Sequence, residues 1–485
     1  MSSEARFCRR APEWLVARFL TAPLVAALAV GCTVGPAYHR PEVETPQQWR
    51  EASETAAWPS PQWWQAFGSP ELDGYVAAAK SANLDLAAAV ARVEEADAQA
   101  RIAGAPLLPR LDLAPRTRRS RQVSPLTSSY PTNNDFAVEL SSSYEVDFWG
   151  KNRAARGAAR ESAMASRYGR EVVALSVVTS VAQSYFQVLA LQERLEVTRQ
   201  NLANAQRVFD ALELEYKMGT TTQLDVVQQR TLLANSSAAV PPMEQALTQA
   251  VNGLAILLGR PPQAVTVATR SLDTICIPEV APGLPSELLA RRPDVRAAEA
   301  QLVAANFDIR NVRAQFLPDF SLTAQGGVES KVLSKLFSSQ SLVFDVGAEA
   351  LQHLFTGGRL TGQLRYSQAH YRELLANYRK ATISAYGDVE DSLAAIRGAR
   401  DTLAQQRVAL DSARTAFSLA QTQFQTGTLN LLSLLNTQTA LFNAEESYVT
   451  ARLNELQAVV GLYKSLGGGW SGELDDARLA QSGEP

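Results

Sequence analysis

Residues 389–424 read VEDSLAAIRGARDTLAQQRVALDSARTAFSLAQTQF, and the spacing of six positions in that stretch decides the fold. Val389, Ile396, Leu403, Leu410, Phe417 and Phe424 recur every seven residues. A straight α-helix repeats every 3.6 residues. A strict repeat of seven stays on one stripe only if the helix underwinds to about 3.5 residues per turn and supercoils left-handedly around a neighbour. Between these positions lie Ser392, Ala399, Gln406, Ala413 and Ala420, mostly small, so bulky knobs alternate with close backbone approach. No proline occurs in residues 359–426. At 1.5 Å per residue, about 65 residues make a rod of about 100 Å, several times the width of a small domain. The stretch ends at Thr426, Gly427 and Thr428, and a second apolar stripe returns through Leu432, Leu435, Phe442 and Leu456.

The same rod occurs earlier in the chain. At an offset of 208 the seam reads Val181, Val188, Leu195, Leu202, Phe209 and Tyr216, and the turn at Gly219 and Thr220 matches Gly427 and Thr428. A helix-to-strand junction also recurs, from Asp85 through Leu108-Pro109 and from Asp294 through Leu317-Pro318. The chain is therefore two copies of one unit. Each copy predicts helix, strand, loop, strand, long helix, turn, helix. The first short helix is expected from Glu71 to Ala105 and its counterpart from Ser286 to Phe316, with Pro109 and Pro318 ending them. The repeats span 71–258 and 286–466, joined by a proline-rich connector at 259–285. Residues 32–70 precede the first repeat, and 467–485 form a tail after Gly467-Gly468-Gly469. Trp49, Trp58, Trp63 and Trp64 are expected to pin the amino-terminal segment onto the helices.

The strands are expected at about 107–123, 135–149, 317–328 and 341–355. In the second of these, Phe136, Val138, Leu140, Tyr144, Val146 and Phe148 share one parity, and Glu139, Glu145 and Asp147 share the other. The fourth strand repeats the pattern, with Leu342, Phe344, Val346 and Ala348 against Asp345 and Glu349. Period two with one apolar face is a strand with two unlike surroundings. An ordinary water-backed sheet would satisfy this pattern. Length and the leader segment described below favour a membrane barrel, with Glu139, Glu145, Asp147, Asp345 and Glu349 facing its lumen. Hydrocarbon does not tolerate open sheet edges, and bacterial outer-membrane barrels begin at about eight strands, so four strands require at least two chains to close one barrel.

Residues 1–31 read as a secretory signal: Arg6, Arg9, Arg10 and Arg18, then an apolar run at 19–30, then Gly31-Cys32. Ending on Gly-Cys makes Cys32 the expected lipidated first residue, and several acyl chains on one terminus anchor stably. No run of about 18 apolar residues follows the leader, so no helix of the mature chain is expected to cross a membrane. Lys and Arg number 46 against 49 Asp and Glu, a balance that gives no reason to expect nucleic acid as a partner. Cys276 stands alone, so no disulfide framework is expected.

With repeat, rods and strands in place, the chain resembles the outer membrane factors of Gram-negative efflux pumps, TolC-like channels, in their lipoprotein (NodT-type) branch. The residues that carry the likeness are Gly283-Leu284-Pro285-Ser286-Glu287-Leu288-Leu289-Ala290-Arg291-Arg292-Pro293-Asp294-Val295, continuing to Ala304-Ala305-Asn306. Cys32-Thr33-Val34-Gly35-Pro36 is similar to that branch's mature start, and Leu462-Tyr463-Lys464-Ser465-Leu466-Gly467 to its end. The resemblance implies a mainly α fold with a small β part. Long coiled-coil helices would form a trimeric α-barrel tube, and four strands per chain a shared 12-stranded transmembrane β-barrel. It implies a homotrimer in outer membrane lipid, reaching into the periplasm. Its partners would be a periplasmic adaptor (membrane fusion protein) and an inner-membrane resistance-nodulation-division pump, and its work the passive exit of small toxic compounds. The periplasmic gate falls on Leu432 and Asn436, with Thr428 in the turn. Asn436 stands where many members carry an acidic residue, so the gate is expected to be less pH-sensitive and less cation-selective. Asp225, in the first turn of its helix after a Thr220/Gln223 capping-box pattern, has either a gating role or only a helix-dipole role.

His39, His353 and His370 are far apart with no zinc spacing, and no phosphate-binding glycine loop is present. Neither catalysis nor a cofactor beyond the Cys32 lipid is expected. The competing readings are a duct for a type I protein secretion system and a periplasmic coiled-coil adaptor or scaffold.

Overall fold

The computed structural model describes residues 34–50, 58–121, 123 and 132–470. The leader and Cys32 lie outside the described residues, as does the tail from 471 onward. In chain order the elements are α1 (Pro70–Ala82), α2 (Leu84–Gly104), β1 (Arg110–Arg121), β2 (Thr132–Val146), α3 (Lys151–Lys217) and α4 (Gln223–Leu257). Then follow α5 (Pro285–Arg291), α6 (Pro293–Ala314), β3 (Asp319–Ser330), β4 (Leu342–Leu351), α7 (Arg359–Gln425) and α8 (Leu431–Ser465). The long helices α3 and α7 are each 67 residues and α4 and α8 each 35, every pair offset by 208. The chain is mainly helical with a small antiparallel sheet, in two internal copies.

Burial follows the heptad. On α7, Val389, Ile396 and Leu410 are buried and Leu403, Phe417 and Phe424 half-buried, and the small positions from Ser392 to Ala420 are likewise not exposed. The remaining surface of α7 is largely exposed, Ile383, Val408 and Leu419 among it. That is the burial left when a coiled-coil seam is met from one side only.

Sequence and structure part in a few places. Each short helix is two. Asn83 ends α1, and its carboxamide oxygen accepts from Leu86 N–H at 3.0 Å while its Nδ2 donates to Leu257 O at 2.8 Å. Arg292, 209 residues later, breaks the second copy before Pro293 and reaches Ser465 O at 3.3 Å. Leu257 and Ser465 are themselves 208 apart, so the break and its tether are duplicated. Gly259 and Gly467, with φ of 64° and 84°, complete both joints. A Cβ on either would lie 2.1 or 2.2 Å from the carbonyl oxygen of Ala82 or Arg291. The reading that no helix is apolar enough to cross a membrane is also corrected. An 18-residue window of α3 has mean hydropathy 1.5, and half of it is buried within the chain. Thr179, Ser180 and Gln183 interrupt the apolar stretch there, so a search for a continuous run passes over it.

The chain forms two compact units. One comprises the described residues of Met1–Pro41 with Glu95–Ala163 and Ala300–Ala376; the other comprises Glu42–Glu94, Met164–Glu299 and the described part of Asn377–Pro485. The first contains the sheet, in order β1-β2-β3-β4, every neighbour antiparallel and the register free of bulges. Lys151 ties it to helix, its Nζ 2.6 Å from Glu145 and 2.9 Å from Asp319, and Trp149 Nε1 donates to Pro318 O at 2.9 Å. In the second unit the tryptophans are anchors. Trp63 stacks on Tyr463 at 4.7 Å, Trp49 Nε1 donates to Gly283 O at 2.9 Å, and Trp58 Nε1 donates to Glu287 at 2.5 Å. The connector is held by Glu71, whose carboxylate accepts from the Ala268 and Thr269 N–H groups at 2.8 and 3.1 Å and from the Tyr75 hydroxyl. Burial alone would raise the Glu71 pKa; these donors outweigh it and hold it below the ordinary value.

Candidate membrane face and channel tip

Cross-strand partners share a face, so the register sorts the sheet without reference to pattern. Leu113, Leu140, Gly326 and Phe344 form one row; Leu111, Ser142, Ala324 and Val346 form the next; Tyr144, Leu322 and Ala348 and then Val146, Phe320 and Ala350 continue it. This face is apolar and bare: Leu113 is 67% exposed, Phe344 82% and Val346 77%. Among the described residues no helix covers it, as the apolar face of a water-backed sheet would have to be covered. At the helix end of the face Phe148 packs edge-on to Trp149 at 4.6 Å and lies 6.2 Å from Phe320, an aromatic cluster of the kind that marks a membrane interface.

The opposite face is polar. Asp345 sits opposite Gln325, which pairs with Ser141; Glu145 and Glu349 both sit opposite Ser321; Glu139 sits opposite Ala114 and Gly327. Arg116 reaches Asp135 at 3.4 Å and Glu139 at 3.7 Å. Glu139, Glu145, Asp345 and Glu349 thus lie on the face away from the apolar one. Asp147 does not belong with them. It lies beyond the end of β2 and caps α3, accepting from the Asn152 and Arg153 N–H groups, each at 2.8 Å, and pairing with Arg153 Nε at 3.1 Å. Alternation on paper continues past the last strand residue; the backbone does not. Among the described residues, β1 and β4 each pair on one side only and are the edges of the sheet.

The tip of the second unit contains the two inter-helix turns. Gly219 and Gly427 take the left-handed conformation, with φ of 74° and 71°. Thr220 closes the end of α3, its hydroxyl donating to Glu215 O at 2.9 Å, and Thr428 does the same at the end of α7, to Gln423 O at 3.0 Å. The hydroxyl of Thr428 is therefore engaged in its own turn. The capping box of α4 is Thr222 with Asp225, not Thr220 with Gln223. Thr222 Oγ1 accepts from Asp225 N–H at 3.3 Å, and the Asp225 carboxylate accepts from Thr222 N–H at 3.2 Å and from the Thr222 hydroxyl at 2.6 Å. That hydroxyl is the main cause holding the Asp225 pKa below its ordinary value. Asn430 caps α8, accepting from Ser433 N–H at 2.9 Å.

Leu212, Val226 and Leu431 form the core of the tip, with Phe209, Phe424 and Leu435 against them. Leu432 and Asn436 are outside it. Both are exposed, Leu432 by 60%, and four residues apart they share one side of α8. Their counterparts 208 residues earlier are Leu224, 64% exposed, and Gln228, also exposed. Sequence reading overlooked this second pair, although the offset of 208 already pointed to it. An open groove of about 1080 Å³ at the tip is lined by Arg207, Glu215, Asp225, Phe417, Phe424 and Leu434 among others. Among the described residues no three His, Cys, Asp or Glu side chains cluster as a metal site.

A bare apolar sheet face, a polar face behind it, two open edges among the described residues and duplicated coiled-coil hairpins define a membrane channel protein. Residues 76–260 and 284–468 each match the outer membrane efflux protein family, the two matches again 208 apart. The chain belongs to that family and is an outer membrane efflux channel protein. It is 42% identical to the pyoverdine export outer membrane protein OpmQ of Pseudomonas aeruginosa, over 92% of this chain and 96% of that protein. It is 32% identical to the solvent efflux pump outer membrane protein SrpC of Pseudomonas putida, over 94% and 99%. The open state of the Neisseria gonorrhoeae MtrE outer membrane channel superposes with a TM-score of 0.82 at 27% identity, covering 91% of this chain and 99% of that one.

Proposed function

We propose that three copies of the chain close a 12-stranded barrel, three times the four strands of one sheet, and form the passive exit duct of a tripartite efflux pump. The observation that carries this is the pair of open edges beside a bare apolar face. Each unpaired backbone group in hydrocarbon costs several kcal/mol, and closure by neighbouring chains is the way to satisfy them. An inner-membrane pump supplies the energy and a periplasmic adaptor holds it to the tube; the mixed apolar and charged groove at the turns supports a protein partner there. Lipid on Cys32 adds the anchor. The exposed Leu432 and Asn436, with Leu224 and Gln228, line the periplasmic gate, while Asp225 and Thr428 shape its turns. The cargo is small toxic compounds, since the relatives carry the names of pyoverdine export and solvent efflux rather than of protein secretion. Deleting the gene and profiling sensitivity to solvents, dyes and antibiotics tests the reading, with the native mass of the purified protein measured in parallel. Unchanged sensitivity together with loss of a secreted protein would move the function to type I secretion. A water-soluble single chain would end the duct reading.

A further inference from the structure

We infer that β4 pairs antiparallel with β1 of a neighbouring copy in one register, with Asp345 opposite Arg118 of that copy and Glu349 opposite its Ala114. The seam presupposes the barrel reading above; the register is what is added. A closed barrel of twelve strands tilted by about 35–45° slips its ladder by about 12–17 residues in one circuit, or about 4–6 per chain. The slip is already visible within one chain. At the hairpin end Leu342 starts β4 in the row of Val328, Val138 and Pro115, whereas β1 continues six residues further, to Arg121. At the helix end Arg110 starts β1 in the row of Ser143, Thr323 and Gly347, whereas β4 continues four residues further, to Leu351. A neighbouring β1 displaced by the same amount toward the helix end lies beside all ten residues of β4. Displaced the other way, it would leave almost the whole of β4 bare in hydrocarbon.

Polar-face residues must meet polar-face residues across the seam, so only an even displacement is allowed, four or six. Charge decides between them. Asp345 and Glu349 are exposed on the polar face of β4, and Arg118 is exposed on the polar face of β1; among the described residues none of the three has an ion pair within the chain. Arg116, on the same face of β1, is 52% exposed and only loosely held, 3.4 Å from Asp135 and 3.7 Å from Glu139. A displacement of four would set Asp345 opposite Arg116 but Glu349 directly opposite Asp112, two like charges. A displacement of six sets Asp345 opposite Arg118 and Glu349 opposite Ala114, with Arg116 opposite Gly347, between the two carboxylates. Opposite charges across strands select this register, even where lumen water keeps their contribution to stability small.

Gly327 shows how the backbone is turned at the seam. A Cβ on it would lie 2.2 Å from the Val138 carbonyl oxygen, so that oxygen points at β3. Val138 then makes no ladder bond to β1, and the backbone groups of its partner Pro115 point out of the open edge, the side on which a residue without an N–H is tolerated. By alternation the hydrogen bonds of the seam fall on the apolar-face residues. Its polar-face pairs are the close, non-hydrogen-bonded kind, with Cα atoms about 4.5 Å apart and within reach of a disulfide.

The test is oxidative cross-linking of the full-length protein in outer membranes, with C276S removing the exposed native thiol. V343C/S120C and L351C/D112C report a displacement of six, and L351C/R110C reports four. Each pair joins opposite edges of the sheet, so its disulfide forms only between copies. The first two should give covalent dimers and trimers on a non-reducing gel, and the third should stay monomeric there, its Cα atoms being more than 7 Å apart. R118D in the V343C/S120C protein should slow cross-linking about two- to threefold, and D345R/R118D should restore it. Cross-linking of L351C/R110C in place of the other two pairs, or no rescue by the charge exchange, would overturn the register. Native mass measured on each variant separates this failure from that of the barrel. A trimer that none of the pairs cross-links sinks the seam alone, whereas a monomer sinks it together with the duct reading.

Discussion

Phe344 and Asp345 are neighbours on β4, and substituting each with arginine asks whether the faces of the sheet are assigned correctly. Phe344 belongs to the row of Leu113, Leu140 and Gly326 and is 82% exposed. Leu140 is six residues from Val146, about 20 Å along a band of about 34 Å, so the row lies near the bilayer midplane. An arginine on the lipid face there costs about 2–4 kcal/mol, and three well-separated copies raise that to about 6–12 kcal/mol in the proposed trimer. Asp345 faces Gln325 on the polar side, where an arginine meets water, and Asp345→Arg should change stability by no more than about 0.5 kcal/mol. The assay is urea unfolding of the reconstituted protein, followed by the loss of its heat-modifiable band, with flotation of outer membranes to measure insertion. Phe344→Arg should lose most of its trimer at urea concentrations the wild type survives. Asp345→Arg should insert normally and shift ion selectivity toward anions in single-channel recordings. If the two variants unfold together, or if Asp345→Arg is the more damaged, the face assignment is wrong.

At the tip, Asn436→Asp should raise cation selectivity and make conductance fall with acidification; recordings identical to wild type would refute a gate at that row. Leu224→Ser with Leu432→Ser should widen the proposed gate and increase resting conductance beyond either single change. Asp225→Ala should cost about 1 kcal/mol of local helix stability, read as faster amide exchange at 223–226. Because Thr222 lowers the Asp225 pKa, this contribution is complete above the unfolded value of 3.8 and is lost as pH falls through the lower folded value. Glu71→Gln should destabilise the connector by about 1–2 kcal/mol at neutral pH. The wild type's advantage over it should vanish as acidification carries the carboxylate below its ordinary 4.5 and through its lowered folded value, and a constant difference across that window would refute the latch.

The rods and strands were legible in the sequence because both are periodic demands. A seam buried every seventh residue on α7, and a face turned every second residue on β2, each leave a pattern that survives without coordinates. What was not legible depends on partners remote in the chain. Asn83 breaks a helix whose residues favour continuation because its carboxamide holds Leu257, 174 residues away. Thr220 looks like a cap three residues before Gln223, yet its hydroxyl already closes the preceding helix, and the capping box falls to Thr222 and Asp225. Asp147 kept the strand's parity beyond the strand's end. The exposed Leu224 was within reach of the sequence, one repeat before Leu432.

The open margins of the sheet carry a genetic consequence. In the proposed trimer, a wall completed by neighbours makes a defective copy contagious. When half the chains in a cell carry a lesion that still permits assembly, only about one in eight three-membered rings is built wholly from sound copies. Mutations of this gene that spare assembly but block passage should therefore be dominant over a wild-type copy expressed beside them, whereas those that prevent assembly should be recessive.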